Sequence, residues 1–186
     1  MMSQTDTTTL IGIDYSLTSP AVCIDNGALM FFFLTNKKKY IGKLSEDIIG
    51  YEHKEWTTPI QRFTYISDFV FDIINQVYNP KVFIEGYSFG SKGQAIFQIA
   101  ENGGILKYRL QKKFTCKTIV PSVVKKLATG KGNADKQKMY EAFTKTQGVD
   151  LMKAFDQQTL NNPVTDVIDS YYIMRAGYEN SISNNI

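Results

Sequence analysis

The chain has one histidine, one tryptophan and two cysteines in 186 residues. A single histidine, His53, excludes a multi-histidine metal cage, and Cys23 and Cys116 allow at most one disulfide. Both cysteines lie in apolar, strand-like runs, where a buried free thiol is the default. No run of apolar residues approaches the roughly 20 needed to span a bilayer. Residues 1–9 are polar and carry neither an apolar core nor arginines, so they do not read as a signal or transit peptide. These absences lead to the expectation of a soluble protein of the cytoplasm, without a membrane partner. Apolar content of 43% and charged content of 21% are ordinary for a globular chain. The length suggests a single domain over 10–179, with polar tails at 1–9 and 180–186.

The net charge of +3 conceals a sharp division. Between Lys107 and Lys138 stand ten lysines and arginines against one acid, Asp135, which makes that stretch +9 and the remainder −6. A basic block on an otherwise acidic chain suits a polyanionic partner, although a lysine-rich solvated face produces the same count.

Alternation and turn residues predict the elements. Leu10–Ser16 reads as a buried strand, Pro20–Ile24 as a second, and Ala28–Thr35 as a third. Asn26-Gly27 supplies the tight turn between the last two. No element is assigned to 36–58, and Lys37, Lys38 and Lys39 read as a solvated strand end. Thr58-Pro59 starts a helix whose apolar positions recur at helical spacing up to Asn79-Pro80. Lys81–Glu85 is a short buried strand, followed by a Gly/Ser-rich loop through Gly93. A second helix is expected over 94–113, with Gly103-Gly104 inside it. Glycine in a helix interior costs about 1 kcal/mol, so the pair suggests close approach of another strand or of a dimer partner. Lys117–Val120 is a further strand. Short helices are expected over 122–127 and 134–146, and a last one over 163–178, with a frayed tail from Glu179. The order β-β-β-α-β-α-β-α gives an α/β fold: a five-stranded mixed sheet, three strands in an antiparallel meander plus two parallel ones, with helices on both faces.

Four acidic residues stand out, at three places in the chain. Asp14 ends the first strand, Glu85 ends the fourth, and Asp166 and Asp169 sit three apart on the last helix. Acids at the ends of buried strands are costly unless they face a crevice or a cation, and open α/β sheets carry their sites at the carboxyl ends of strands. Positions i and i+3 share a helix face, and Val167 and Ile168 turn that helix onto the sheet. Taken singly, Asp14 also reads as a strand-end turn residue and Asp166 as a first-turn acid favoured by the helix dipole. Together, four carboxylates without a histidine cluster suit Mg²⁺, or Mn²⁺ in its place. Two ions roughly 4 Å apart would clamp the attacking and leaving oxygens of a phosphodiester.

Four stretches carry a resemblance: Ile11-Gly12-Ile13-Asp14-Tyr15-Ser16, Phe83-Ile84-Glu85, the run from Gly130 to Lys136 (GKGNADK), and Asp166-Val167-Ile168-Asp169. In this order the chain resembles the RuvC family of Holliday-junction resolvases, in particular its phage-type members, within the ribonuclease H-like superfamily. The resemblance implies a homodimeric endonuclease that nicks four-way and branched DNA in pairs, working in the cytoplasm of a bacterial host. It implies two metals per active site, held by Asp14, Glu85, Asp166 and Asp169. It also implies that Lys136, and with it Lys125, meets DNA near the scissile phosphate.

Lys92, Lys125, Lys126, Lys131, Lys136 and Lys138 fall in loops or helix starts after strands, where phosphates are contacted. The helix amides after Asn133 are a further phosphate position. The family carries a wedge aromatic just after the second acid; the nearest aromatics here, Tyr87 and Phe89, are offset from that position, and they either enter an opened DNA step or cover the core. Trp56 and His53 read as structural or peripheral. The second helix, through Ile99, Gly103, Gly104 and Leu106, is the candidate dimer face, with packing on the sheet as the alternative. A nuclease of this fold acting on flaps or RNA–DNA hybrids is the competing enzyme reading. A branched-DNA-binding protein without catalysis is the competing non-enzyme reading.

Overall fold

The computed structural model describes residues 8–87 and 95–183. Among them the strands are β1 (Thr9–Asp14), β2 (Ala21–Asp25), β3 (Leu29–Thr35), β4 (Gly42–Lys43), β5 (Ile48–Glu52), β6 (Pro80–Glu85) and β7 (Thr115–Ile119). The helices are α1 (Pro59–Asn75), α2 (Ala95–Lys113), α3 (Pro121–Thr129), α4 (Lys136–Gln147), α5 (Leu151–Ala154) and α6 (Val164–Ser183).

The strands form one mixed sheet in the order β4-β5-β3-β2-β1-β6-β7. The described residues thus hold seven strands rather than the expected five. The additional two come from 36–58, where β5 pairs in parallel with β3 and β4 hangs antiparallel on β5. The expected meander is present as β1–β3, with Gly27 at φ +105° in the second turn. β6 adds in parallel to β1 and β7 in parallel to β6.

Strand alternation sorts the core into two layers. Ile11, Ile13, Val22, Ile24, Val82 and Ile84 face α1 and α2, packing on Val70, Ile74, Leu106 and Leu110. Ala21, Cys23, Phe31, Phe33 and Phe83 face the other way, onto α6 and the α3–α5 group. α1 begins as its sequence requires: Pro59 occupies the first turn, and the Thr58 hydroxyl accepts from Gln61 N–H at 3.3 Å.

α6 lies against β1 and runs opposite to it. Gly12 makes this possible, since a Cβ there would overlap the α6 backbone at Ser170 and Met174. Gly177 does the same for the Phe83 ring. The helix continues to Ser183 instead of fraying after Tyr178. Its late polar residues are satisfied within the helix: Ser181 Oγ donates to Gly177 O at 2.7 Å, and Arg175 pairs with Glu179 at 3.1 Å. Lys37 and Lys39 are also more engaged than a solvated strand end. Lys37 Nζ donates to Asn162 O at 2.8 Å and Lys39 Nζ to Asp156 O at 3.3 Å.

Candidate active site

Register and alternation bring the four acids together. In the β1–β6 pair Ile13 stands opposite Ile84, so Asp14 and Glu85 are the next neighbours, about 4.8 Å apart in backbone spacing. With Ile13 and Ile84 turned toward α1 and α2, Asp14 and Glu85 both turn toward α6. The antiparallel course of α6 then sets its first two turns, with Asp166 and Asp169, over the end of β1. Val167 and Ile168 are buried in the core, as the D-x-x-D spacing requires.

The carboxyls are close enough to raise one another. Burial pushes Asp14 well above the usual carboxylate range, and the negative charges of Asp166, Asp169 and Glu85 add to it. Glu85 rises to about 7 through burial and the charge of Asp169, opposed by Lys125. Asp166 rises to about 7, mainly through burial, with Ser19, Lys136 and Thr165 restraining the rise. Asp169 rises to about 6 through burial, opposed by Lys136 and Lys125. Asp166 is buried, whereas Asp14, Glu85 and Asp169 keep partial exposure at the rim.

An all-carboxylate donor set of this kind matches the oxygen preference of Mg²⁺ or Mn²⁺. Among the described residues, no three His, Cys, Asp or Glu side chains already stand in an ion-holding arrangement. Ser19 Oγ donates to Asp166 Oδ2 at 2.5 Å and itself accepts from Asn162 Nδ2 at 2.8 Å, so one carboxylate oxygen is committed to a hydroxyl.

Of the cations expected beside the acids, two reach them. Lys136 acts on Asp14, Asp166 and Asp169, with its Nζ 3.4 Å from Thr165 Oγ1, and Lys125 acts on Glu85 and Asp169. Lys126 and Lys131 are exposed. Lys138 pairs at 3.4 Å with Asp135 on the surface. The amide end of α4 is capped by Asp135, whose Oδ1 accepts from Lys138 N–H at 2.9 Å. The expected phosphate position there already holds a carboxylate. Phe89 and Lys92 lie outside the described residues.

Tyr87 leans on α2. Its hydroxyl donates to Ala100 O at 3.3 Å, and Lys107 Nζ sits 4.1 Å over its ring. Gly103 is what admits the ring, since a Cβ would come within 2.9 Å of the Tyr87 hydroxyl. The glycine pair therefore serves a side chain at position 103, while a Cβ at Gly104 would meet open space. Leu106 is buried in the core and so is no part of an outer face. The exposed apolar face of α2 is instead Phe97 and Tyr108, continued by Ile60 of α1.

Asp14, Glu85, Tyr87, Ile99, Gly103 and Lys107 share a hollow of about 250 Å³. The sequence does not single out Lys107, although 99, 103 and 107 follow at steps of four and share one helical face toward this hollow. No spacing in the sequence signals Ser19, because its link to Asp166 spans most of the chain.

A three-strand meander followed by parallel strands, with a closing helix packed on β1, is the ribonuclease H-like arrangement. No protein-family model and no curated protein matches the sequence. Solved structures do match. The chain is similar to RuvC of Thermus thermophilus, with a TM-score of 0.56 and 14% identity over 94% of this chain and 97% of that one. It is similar to T. thermophilus RuvC in complex with Holliday junction substrate, with a TM-score of 0.60 and 11% identity over 95% and 96%. It is also similar to the yeast mitochondrial Holliday junction resolvase, with a TM-score of 0.55 and 15% identity over 97% and 85%. At these identities the likeness establishes the fold. No helix among the described residues is long and apolar enough to cross a membrane.

Proposed function

We propose that the chain is a structure-selective endonuclease that resolves four-way and other branched DNA junctions by metal-dependent phosphodiester hydrolysis. The observation that carries this reading is the convergence of Asp14, Glu85, Asp166 and Asp169, each raised by burial at one end of the sheet. Buried acids held this close are unfavourable for folding and are expected where a cation or a substrate needs them. The fold shared with resolvases, one of them bound to a Holliday junction, supports the choice of substrate.

Asp14, Glu85, Asp166 and Asp169 would hold two Mg²⁺ ions, with Mn²⁺ able to replace them. The ions supply Lewis acidity and stabilise charge on the phosphate oxygens. Asp166 would exchange its Ser19 bond for an ion. Lys136 and Lys125 would offset negative charge on the scissile phosphate and hold the acids ionised. Lys107 and Tyr87, on the far wall of the hollow, would position the strand that enters it. A four-way junction has two-fold symmetry, and a C2 dimer meets it with two equivalent sites. The exposed Phe97–Tyr108 face of α2, with Ile60, is the surface we assign to that dimer.

The test is cleavage of a panel of synthetic branched DNAs with mapped product ends. Paired nicks in a four-way junction with Mg²⁺ or Mn²⁺, none with EDTA, and intact linear duplex are expected. Equal cutting of flaps or RNA–DNA hybrids would replace this reading with a general nuclease.

A further inference from the structure

The sheet beyond β3 is built by a segment that the proposed chemistry does not use. β3 and β5 both run parallel to β1, so the chain leaving β5 at Glu52 emerges at the same rim as Asp14. It then folds on itself. His53 N–H donates to Thr35 O at 2.9 Å, and Tyr65 Oη donates to Glu52 O at 2.8 Å. The Trp56 ring has His53 at 4.7 Å between centroids and the Arg62 guanidinium at 4.6 Å. Lys54 Nζ lies 5.1 Å over Tyr65. Even so, 40% of Trp56 is exposed. Trp56, His53, Lys54, Glu55, Asn36 and Thr18 line a hollow of about 460 Å³.

This hollow is joined to the acids. Thr18 lines it, and the next residue, Ser19, donates to Asp166. Lys37, beside Asn36, donates to Asn162 O, and the Asn162 amide donates to Ser19. Three strand spacings separate β5 from β1, about 14 Å, or roughly four base-pair rises of B-form DNA.

We infer that the hollow takes an unpaired nucleobase of the bound DNA, stacked on Trp56, within a few nucleotides of the phosphate at the acids. This rests on the nuclease reading above. The part of the indole left exposed beside His53 and Arg62 can stack on any base, and the adjacent cations Lys54 and Arg62 suit the phosphates on either side of it. Glu55, the acid of the lining, can accept from an exocyclic amine. A base inside a duplex is already stacked and cannot enter a recess, so the hollow favours DNA opened at a branch.

Trp56 is the only tryptophan of the chain, so its emission reports on this hollow alone. The experiment titrates the full chain in EDTA with a four-way junction, a forked duplex with unpaired arms, and a blunt duplex, following fluorescence and gel retardation together. Quenching by junction and fork, but not by blunt duplex, is expected. Trp56→Ala should weaken fork and junction binding about tenfold, with blunt-duplex binding unchanged and Trp56→Phe close to wild type. Retardation of the junction with unchanged emission overturns the inference and leaves the nuclease reading standing. That titration uses the unmodified protein, so it decides even where the alanine variant fails to fold. No retardation of branched DNA, with or without Mg²⁺, overturns both.

Discussion

At Asp14 one side chain meets burial and three neighbouring negative charges together, and only Lys136 works against them. Asn in its place keeps the shape and removes the charge. Asp14→Asn is therefore expected to abolish junction cleavage in a nicking assay while gel retardation of the junction persists; loss of retardation as well would make Asp14 a structural residue. The same reasoning yields a pH dependence. Glu85 and Asp166 rise to about 7 and Asp169 to about 6 in the folded chain, against about 4 unfolded. Between those values the folded state binds more protons than the unfolded one, so stability falls as pH climbs. In EDTA the melting temperature should drop from pH 5 to pH 8, by about 2–4 °C for each kcal/mol lost in a chain of this size. Mg²⁺ should remove most of the drop, and Asp14→Asn should melt above wild type in EDTA at pH 8. A flat profile without metal would contradict the burial of these acids, and with it their mutual repulsion. Lys136→Ala should lower the cleavage rate by about 10²-fold, the scale seen when one charge-stabilising donor is lost, with little change in junction affinity.

Among the elements, α6 on β1 is the contact that fixes the site, and Gly12 sets its closeness. Gly12→Val should separate helix and strand, costing about 1–3 kcal/mol or more; urea unfolding measures it, and an unchanged midpoint would mean the contact is looser than described. β1, β6 and α6 were legible in the sequence because each carries its own evidence: unbroken apolar strands ending in an acid, and a helix with Val167 and Ile168 between two aspartates. Parity alone places Asp14 and Glu85 on the α6 face. β4 and β5 were not legible. Gly42-Lys43 is too short for a pattern, and Ile48-Ile49-Gly50 does not alternate. Their pairing depends on tertiary fit, since a Cβ at Gly50 would overlap the carbonyl of Tyr40. The link from Ser19 to Asp166 was hidden for the same reason, being long-range and made by a hydroxyl that any loop serine carries. Of the two alternatives for α2, packing on the sheet holds for Leu106: it and Tyr108 are both apolar, and only packing reveals that the first is buried and the second exposed.

On the scale of the whole molecule, charge and apolar exposure divide the surface. The basic stretch from Lys107 to Lys138 supplies the two lysines that reach the acids, and phosphate binding there should weaken steeply with salt. The exposed Phe97, Tyr108 and Ile60 are expected to join two copies. Sedimentation equilibrium should give a dimer for the wild type and a monomer for the doubly substituted Phe97→Asp, Tyr108→Asp chain, and a monomeric wild type would remove the two-site arrangement. The alternation along β1 links everything else. Ile11 and Ile13 belong to one helical layer, and Gly12 and Asp14 to the other. One extra residue inserted after Gly12 would shift that parity for the rest of the strand. Asp14 would then point into the aliphatic layer, and an isoleucine would take its place beside the other three acids. The few residues of β1 therefore tolerate exchange but not a change of length.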